Sequence, residues 1–465
     1  MNNVPNGVAA APPPLGLLEF IRRARHNLLD LFPPAIFAQD MPQTQFLFLR
    51  SFLVNKPDYI EHVLLTNQQN YVKSHFVLRL LGPVLGQGLL TSEGALWRRQ
   101  RRIAAPALQP RRLAGSIEIM AECAHALVER WNTYEGSFDI CPEMMSVTLD
   151  VIARTMFSAD ISAHSARIGK LMDAVIFGMR PSALDLLGLP EWLPRPMPRA
   201  VKAAVAEFHA LVAGIIAARR ADGIDRGDLL SILMNARDPD TGEAMTDRQL
   251  RDEVMTVFLA GHETTANALG FAWWLLAENP AVEARLHEEL DRVLQGRPPC
   301  SADLASLPYT RMVLDEALRL YPPAHIISRM AVKEDRIGGV RVPAGATITI
   351  SPYVTQRNPV LWLDPERFDP ERFVPGQTSE RHRFAYLPFG AGQRICLGMP
   401  FAIAEGQIIL SAIAQSFSIR LEPGFKVEPV GLITLRAKNG IRVTLTPRRG
   451  SRKIISDNNH RNYRQ

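Results

Sequence analysis

The run from Phe389 to Gly398 reads Phe-Gly-Ala-Gly-Gln-Arg-Ile-Cys-Leu-Gly, which puts one thiol, Cys396, among three glycines with Arg394 two positions before it. Glycines let the backbone turn tightly and come close to something flat and large. A helix-like run, Met399 to Phe417, follows at once, with Pro400 where a first helical turn tolerates proline. The dipole and free N–H groups at a helix N-terminus favour a thiolate. Such a thiolate can be a nucleophile, a zinc ligand or a haem ligand. Zinc needs company, and Cys123, Cys141 and Cys300 are distant in sequence and form no close pair. A nucleophile needs a base, and His382 is only the nearest histidine in sequence. A haem ligand needs apolar helices on one side and cations for the propionates, and Arg394 is one such cation.

A second group of residues suited to chemistry lies inside a proline-free run, Thr246 to Asn279, closed by Pro280. Thr246 and Gln249 form a capping-box pattern, so a helix of ~51 Å is expected, crossing the middle of the protein. Its centre reads Ala260-Gly261-His262-Glu263-Thr264-Thr265. Glycine there costs about 1 kcal/mol against alanine. Two small residues admit a flat ligand, a threonine hydroxyl can bond the carbonyl four residues back, and a glutamate can relay protons. Further on, Tyr309 to Tyr321 reads as a helix halted by Pro322-Pro323. In it Glu316 and Arg319 share a face and can pair.

Phe389, Gly390, Gly392, Arg394, Cys396 and Gly398 together resemble the haem-loop signature of the cytochrome P-450 family, the haem-thiolate monooxygenases. Ala260-Gly261-x-Glu263-Thr264 resembles that family's central-helix motif, in which acid and threonine deliver protons to dioxygen. Glu316-x-x-Arg319 resembles its buried Glu-x-x-Arg pair, which a second arginine joins. The spacing to the Cys loop looks like the family's for Arg372 of Pro370-Glu-Arg-Phe373, rather than for Arg367 of Pro365-Glu-Arg-Phe368, so Arg372 is expected to complete the triad. The resemblance implies Cys396 as axial ligand and Glu263 and Thr264 as catalytic residues. It implies cofactor contacts at Trp97, Arg101, Ala260, Gly261, Arg329, Phe389, Gly390, Arg394 and Gly398, with Trp97, Arg101 and Arg329 toward the propionates.

The 465 residues are 47% apolar and 22% charged with a net charge of +6, a soluble globular balance that does not suggest nucleic acid. Four unpaired-looking cysteines fit a reducing compartment, so the expected location is cytoplasmic. Residues 1–38 are expected to be a mobile Pro/Ala-rich segment, 39–447 a single domain and 448–465 a polar basic tail. The best apolar run, Phe208 to Ala218, is short of the ~18 residues of a membrane span, so no anchor is expected and the chain looks like the soluble bacterial type. Gln45 to Val54 reads as strand and Pro57 to Leu65 as a short helix. The apolar, glycine-bearing stretch His75 to Leu90 reads either as a core loop or as a mobile wall over an apolar pocket. Arg98, Arg99 and Arg102 are a solvated face or a docking site for an acidic electron donor. Pro181 to Pro198 reads as a break between two helices, where the resemblance implies substrate entry. Ile326 to Ile350, Phe417 to Leu421 and Ile441 to Leu445 carry strand signals.

The expected fold is mainly α with small β sheets, the cytochrome P-450 fold, with a long central helix crossing the haem and the Cys loop before a helix. The resemblance implies haem b (iron protoporphyrin IX), dioxygen and a hydrophobic small molecule into which one oxygen atom is inserted. With about fifty residues after the Cys helix, no fused reductase is expected, and a separate ferredoxin or flavodoxin with its reductase is implied. A peroxide-using or isomerising haem-thiolate enzyme is one alternative, against which the intact Glu263-Thr264 pair argues. A non-catalytic haem sensor or carrier is another, and it would show a missing relay or a fused output domain.

Overall fold

The long proline-free run sets the frame of the molecule. The Thr246 hydroxyl accepts the Gln249 N–H at 3.2 Å while the Gln249 side chain accepts the Thr246 N–H at 2.9 Å. From that box a helix runs Asp247–Glu278, ~48 Å at 1.5 Å per residue, and stops at Asn279 before Pro280. The computed structural model describes residues 16–46, 49–109, 113–159, 165–178, 197–238 and 242–448. Helices Ile140–Phe157, Arg199–Asp222, Pro308–Leu320 and Met399–Ser416 pack around the central one. Val254, Phe258, Leu269 and Trp273 are buried on it, and Phe258 stacks on Phe157 with ring centroids 4.4 Å apart. A fully buried side chain of this size contributes ~2–3 kcal/mol. Gly261 is explained from the same side: a Cβ there would lie 2.5 Å from Ile152 Cδ1. Its small size first of all seats helix Ile140–Phe157, where the sequence suggested room for a flat ligand.

The sheets are peripheral. The largest has five strands in the spatial order Gln43–Phe46, Leu49–Leu53, Thr347–Ile350, Ile327–Ala331, Tyr71–Lys73. Only Leu49–Leu53 with Thr347–Ile350 is parallel. In its outer pair Lys73 stands opposite Arg329. A second sheet joins Ser137–Asp139, Arg442–Pro447 and Phe417–Leu421, closing the chain against the end of the Cys helix. The mainly α architecture with small sheets is the one expected.

Four expectations change. The mobile segment 1–38 gives way from Leu17 onward to a helix, Leu17–His26, that buries Ala24 and, just after it, Leu28. Residues 1–15 and 449–465 lie outside the described residues, and so does most of the Pro181–Pro198 break. Pro57 to Leu65 splits into an α turn, Pro57–Glu61, and a wider π turn, His62–Thr66. The run Phe208 to Ala218 is part of a 24-residue helix, Arg199–Asp222, whose length and apolarity would suffice to cross a membrane. Here Val201, Phe208, Val212 and Ile216 spend that apolarity on the core.

The fourth concerns the wall. His75–Leu85 is a helix, capped by Ser74, whose Oγ accepts the Val77 N–H at 3.5 Å. Gly82 and Pro83 read as breakers in sequence, but burial of Leu80, Leu81, Val84 and Leu85 overrides them. The turn after it is pinned to the central helix. The Gln87 N–H donates to Asp252 and the Leu89 N–H to Glu253, each at 3.0 Å. A Cβ at Gly88 would lie 2.1 Å from Thr256 Oγ1, so the turn sits hard against the helix.

Burial, with some repulsion from Asp252, pushes the Glu253 carboxyl up to about 8, against the Leu89 amide. Between the ordinary carboxyl value of 4.5 and about 8 the folded protein keeps a proton that the unfolded chain has released. Stability therefore falls as pH rises through that window. Glu253→Gln keeps an acceptor for Leu89 and removes the titration. Urea midpoints taken at pH 5, 6.5 and 8 should drop less with pH in the variant, and parallel pH curves would show that Glu253 does not carry the effect.

Candidate active site

The Cys loop is shaped by its own backbone. The Gly390 N–H bonds the Leu387 carbonyl, Ile395 bonds Gly392, and the Cys396 N–H closes on Phe389 at 3.0 Å. Gly390 and Gly392 have φ of 69° and 70°, a region in which a side chain is strained. A Cβ at Gly392 would also lie 1.9 Å from the Leu64 carbonyl oxygen, so this glycine lets the loop touch the π turn. Gly398 has ordinary backbone angles and leaves the thiol clear, with its absent Cβ 3.8 Å from Sγ. Phe389 packs on Ala268 of the central helix and on Leu314 and Leu318, joining loop to helix.

Cys396 is accessible to small molecules yet ringed by protein. Burial pushes its thiol up, while the Gly398 amide, Arg101 and the Met399 amide pull it down. The helix N-terminus does act on the sulfur, but burial wins, so the thiolate expected from the dipole alone is not favoured. A metal cation facing the sulfur reverses that balance, because a coordinating thiol loses its proton outright.

Around the loop the structure collects cations. Arg101 donates to the Ile395 carbonyl at 2.9 Å and lies 5.8 Å from the Trp97 ring. Arg394 lies closer, 4.1 Å from the same indole ring, and pairs with Glu93. Arg329 and its strand partner Lys73 complete the group. Burial, then Arg394, pushes Arg329 down to about 10. Burial, then Arg394, pushes Lys73 down to about 7, against Glu93. Four cations thus converge with one carboxylate paired to them among the described residues. A thiol, an accessible helix face and an excess of buried positive charge fit a flat metal group carrying two carboxylates. Sequence reasoning missed Lys73 and Glu93; a lysine on the inward face of a strand, beside buried Tyr71, was the available signal.

The accessible face belongs to the central helix. Along a buried stretch, Ala260 is exposed and Val257, Gly261 and Thr264 are partly so, which is one helical stripe. Thr264 Oγ1 donates to the Ala260 carbonyl at 2.7 Å. Glu263 points elsewhere. It is buried, bonded to the Thr434 hydroxyl and to Arg436 Nη2, the latter at 2.6 Å. These partners belong to the hairpin of Pro429–Gly431 and Leu435–Ala437, and no local pattern marks them in the sequence. Thr265 lies beside Glu405 of the Cys helix, whose carboxyl burial holds far above its usual range.

Glu316 and Arg319 are fully buried and bidentate at 2.6 and 2.8 Å. Arg372 Nε lies 3.3 Å from Glu316, while Arg367 instead faces Asp369 with its side chain 67% exposed. The structure therefore brings Glu316, Arg319 and Arg372 together. Arg367 contributes its carbonyl, which accepts from Arg319.

A family profile described as Cytochrome P450 matches residues 21–440. The chain is 40% identical over 422 residues to cyclooctatin synthase of Streptomyces melanosporofaciens, covering 89% of this chain and 92% of that one. It is 38% identical to cyclooctat-9-en-7-ol 5-monooxygenase of the same organism, over 81% of each chain. It is 35% identical to pentalenene oxygenase of Streptomyces avermitilis, over 84% and 87%. The crystal structure of the cytochrome P450DA heme domain superposes with a TM-score of 0.79 at 27% identity, over 93% of each chain.

The triad geometry ranks three substitutions. Arg319→Ala strands a buried carboxylate and should cost ~3–5 kcal/mol. Arg372→Ala removes a longer contact and should cost less. Arg367→Ala removes only an exposed side chain and should stay within about 0.5 kcal/mol. Urea unfolding of the three variants gives the order, and a larger loss in Arg367→Ala than in Arg372→Ala would contradict it.

Proposed function

This chain belongs to the cytochrome P450 family of haem-dependent monooxygenases of hydrophobic substrates, and on that premise we propose that it oxygenates a cyclic olefin or its alcohol. The names of two relatives carry that chemistry, and the partly apolar stripe of Val257, Ala260 and Gly261 suits it. The observation that carries the reading is the Cys396 thiol, faced by two amides and Arg101, inside a cluster of cations. The group would be haem b, held by Cys396 at its iron and by Arg101, Arg329 and Arg394 at its carboxylates, with the Trp97 ring in contact with Arg101 and Arg394. Haem supplies dioxygen chemistry, and a thiolate ligand favours O–O cleavage.

The remaining steps belong to the protein. Ala260 keeps the central helix low on the accessible stripe where substrate and cofactor would meet, while Gly261 beside it seats helix Ile140–Phe157. Thr264, whose hydroxyl both donates and accepts, hands protons across the accessible stripe. Glu263 is the acid behind it. It is held on the hairpin by Arg436 and Thr434, so it must leave or share those partners to pass a proton forward. Two electrons come from a ferredoxin or flavodoxin with its reductase. Arg98 is exposed on helix Gly94–Ala104 to meet an acidic donor, whereas Arg99 is taken by Asp238 at 2.7 Å. Four free thiols suit the cytoplasm as the place of action.

Cys396→His should convert the ferrous carbon-monoxide spectrum from a thiolate type to an imidazole type and abolish turnover; a retained thiolate spectrum would remove Cys396 as ligand. Thr264→Ala should keep haem and substrate binding, since alanine is the better helix former. Reductant should then yield hydrogen peroxide in place of product. Product formed per NAD(P)H consumed, with peroxide assayed in parallel, reads this out, and an unchanged ratio would favour the peroxide-driven alternative.

A further inference from the structure

Glu93 ends the turn before helix Gly94–Ala104, at the helix's N-cap. Its two oxygens reach different elements. Oε1 accepts the backbone N–H of Lys73 at 2.8 Å and lies 3.6 Å from Lys73 Nζ. Oε2 accepts from Arg394 Nη2 of the Cys loop. The neighbouring Ser92 carbonyl accepts from the same two cations, from Lys73 Nζ at 2.8 Å and from Arg394 Nη1 at 3.3 Å. One turn therefore ties an edge strand, the helix bearing Trp97 and Arg101, and the loop bearing Cys396.

Without an acid there, Lys73, Arg329 and Arg394 would repel one another at close range in a partly dry setting, where charges act strongly. Arg394 would also lose the partner that fixes its reach, since its other anchors are an indole face and a carbonyl. The side chain is 31% exposed, so it is neither a core residue nor a free surface acid.

We infer that Glu93 is a positioning residue for the cofactor: it holds Lys73 and Arg394 where they meet the propionates, so that haem retention depends on its charge. The inference rests on the haem reading above. Glu93 touches no haem itself; it acts through the cations. Glu93→Gln can still accept the Lys73 N–H through its one oxygen, and loses the charge together with the acceptor for Arg394.

The experiment reconstitutes the full chain with protohaem or with protohaem dimethyl ester, which lacks the two carboxylates. The rate at which each is lost to excess apomyoglobin is then followed. With protohaem, Glu93→Gln should lose the group on the order of tenfold faster than wild type, the size of a partly buried charge contact. Glu93→Asp should recover part of the loss, and Glu118→Gln, on the exposed face of helix Leu113–Trp131, should leave the rate unchanged. With the dimethyl ester, wild type and Glu93→Gln should differ little. An equal acceleration with both groups would make Glu93 merely structural, and no acceleration with protohaem would overturn the inference outright. Failure of wild type to take up protohaem at all would instead overturn the haem reading.

Discussion

Arg319 is the interaction on which the site's framework depends. It is fully buried, and each of its five N–H groups is used: two on Glu316, and three on the carbonyls of Gln356, Pro365 and Arg367. A buried ion pair is tolerable only when its remaining donors are satisfied, because desolvation otherwise exceeds the attraction. Satisfying this one draws two segments, at Gln356 and at Pro365 to Arg367, onto helix Pro308–Leu320. Gln356 extends the tie: its side-chain amide donates to the Leu318 and Arg319 carbonyls, and its oxygen accepts the Leu387 N–H, where the Cys loop begins. The stretch between residues 356 and 395 is made of turns and short helical pieces closed by local bonds, and Arg319 and Gln356 tie it to helix Pro308–Leu320.

What the sequence made legible follows from how local each cause is. The capping box at Thr246 and Gln249, the proline stops and the strand Phe417–Leu421 depend on neighbours in the chain, and they appear where expected. The Cys loop is equally local, since ten residues hold its glycines, its thiol and its closing hydrogen bond. The wall was harder. Gly82 and Pro83 signal a break, and only the core into which Leu80, Leu81, Val84 and Leu85 fit shows why a helix persists. Gly261 likewise has a cause 109 positions away, in Ile152.

The partners of the reacting groups were the least legible. Glu263 and Thr264 are adjacent in sequence, which suggests joint action, but a helix turns by about 100° per residue. They face different neighbours, a hairpin and the accessible stripe. Arg436 has no motif to announce it, and its meaning comes from lying across from Glu263. A sequence names chemical groups well and names their counter-charges poorly, because the latter are set by tertiary packing.

The site also runs against what stability alone would choose. Burial disfavours the Cys396 thiolate, and burial disfavours the charge on Lys73, Arg101, Arg329 and Arg394. Local rules broken together in one place are expected where function dominates. The two conflicts have opposite sign: the sulfur needs a cation to ionise against, and the cations need anions. Glu93 answers only part of the second. A single group with a metal at its centre and two carboxylates at its edge would answer both at once, in keeping with the haem that the family implies.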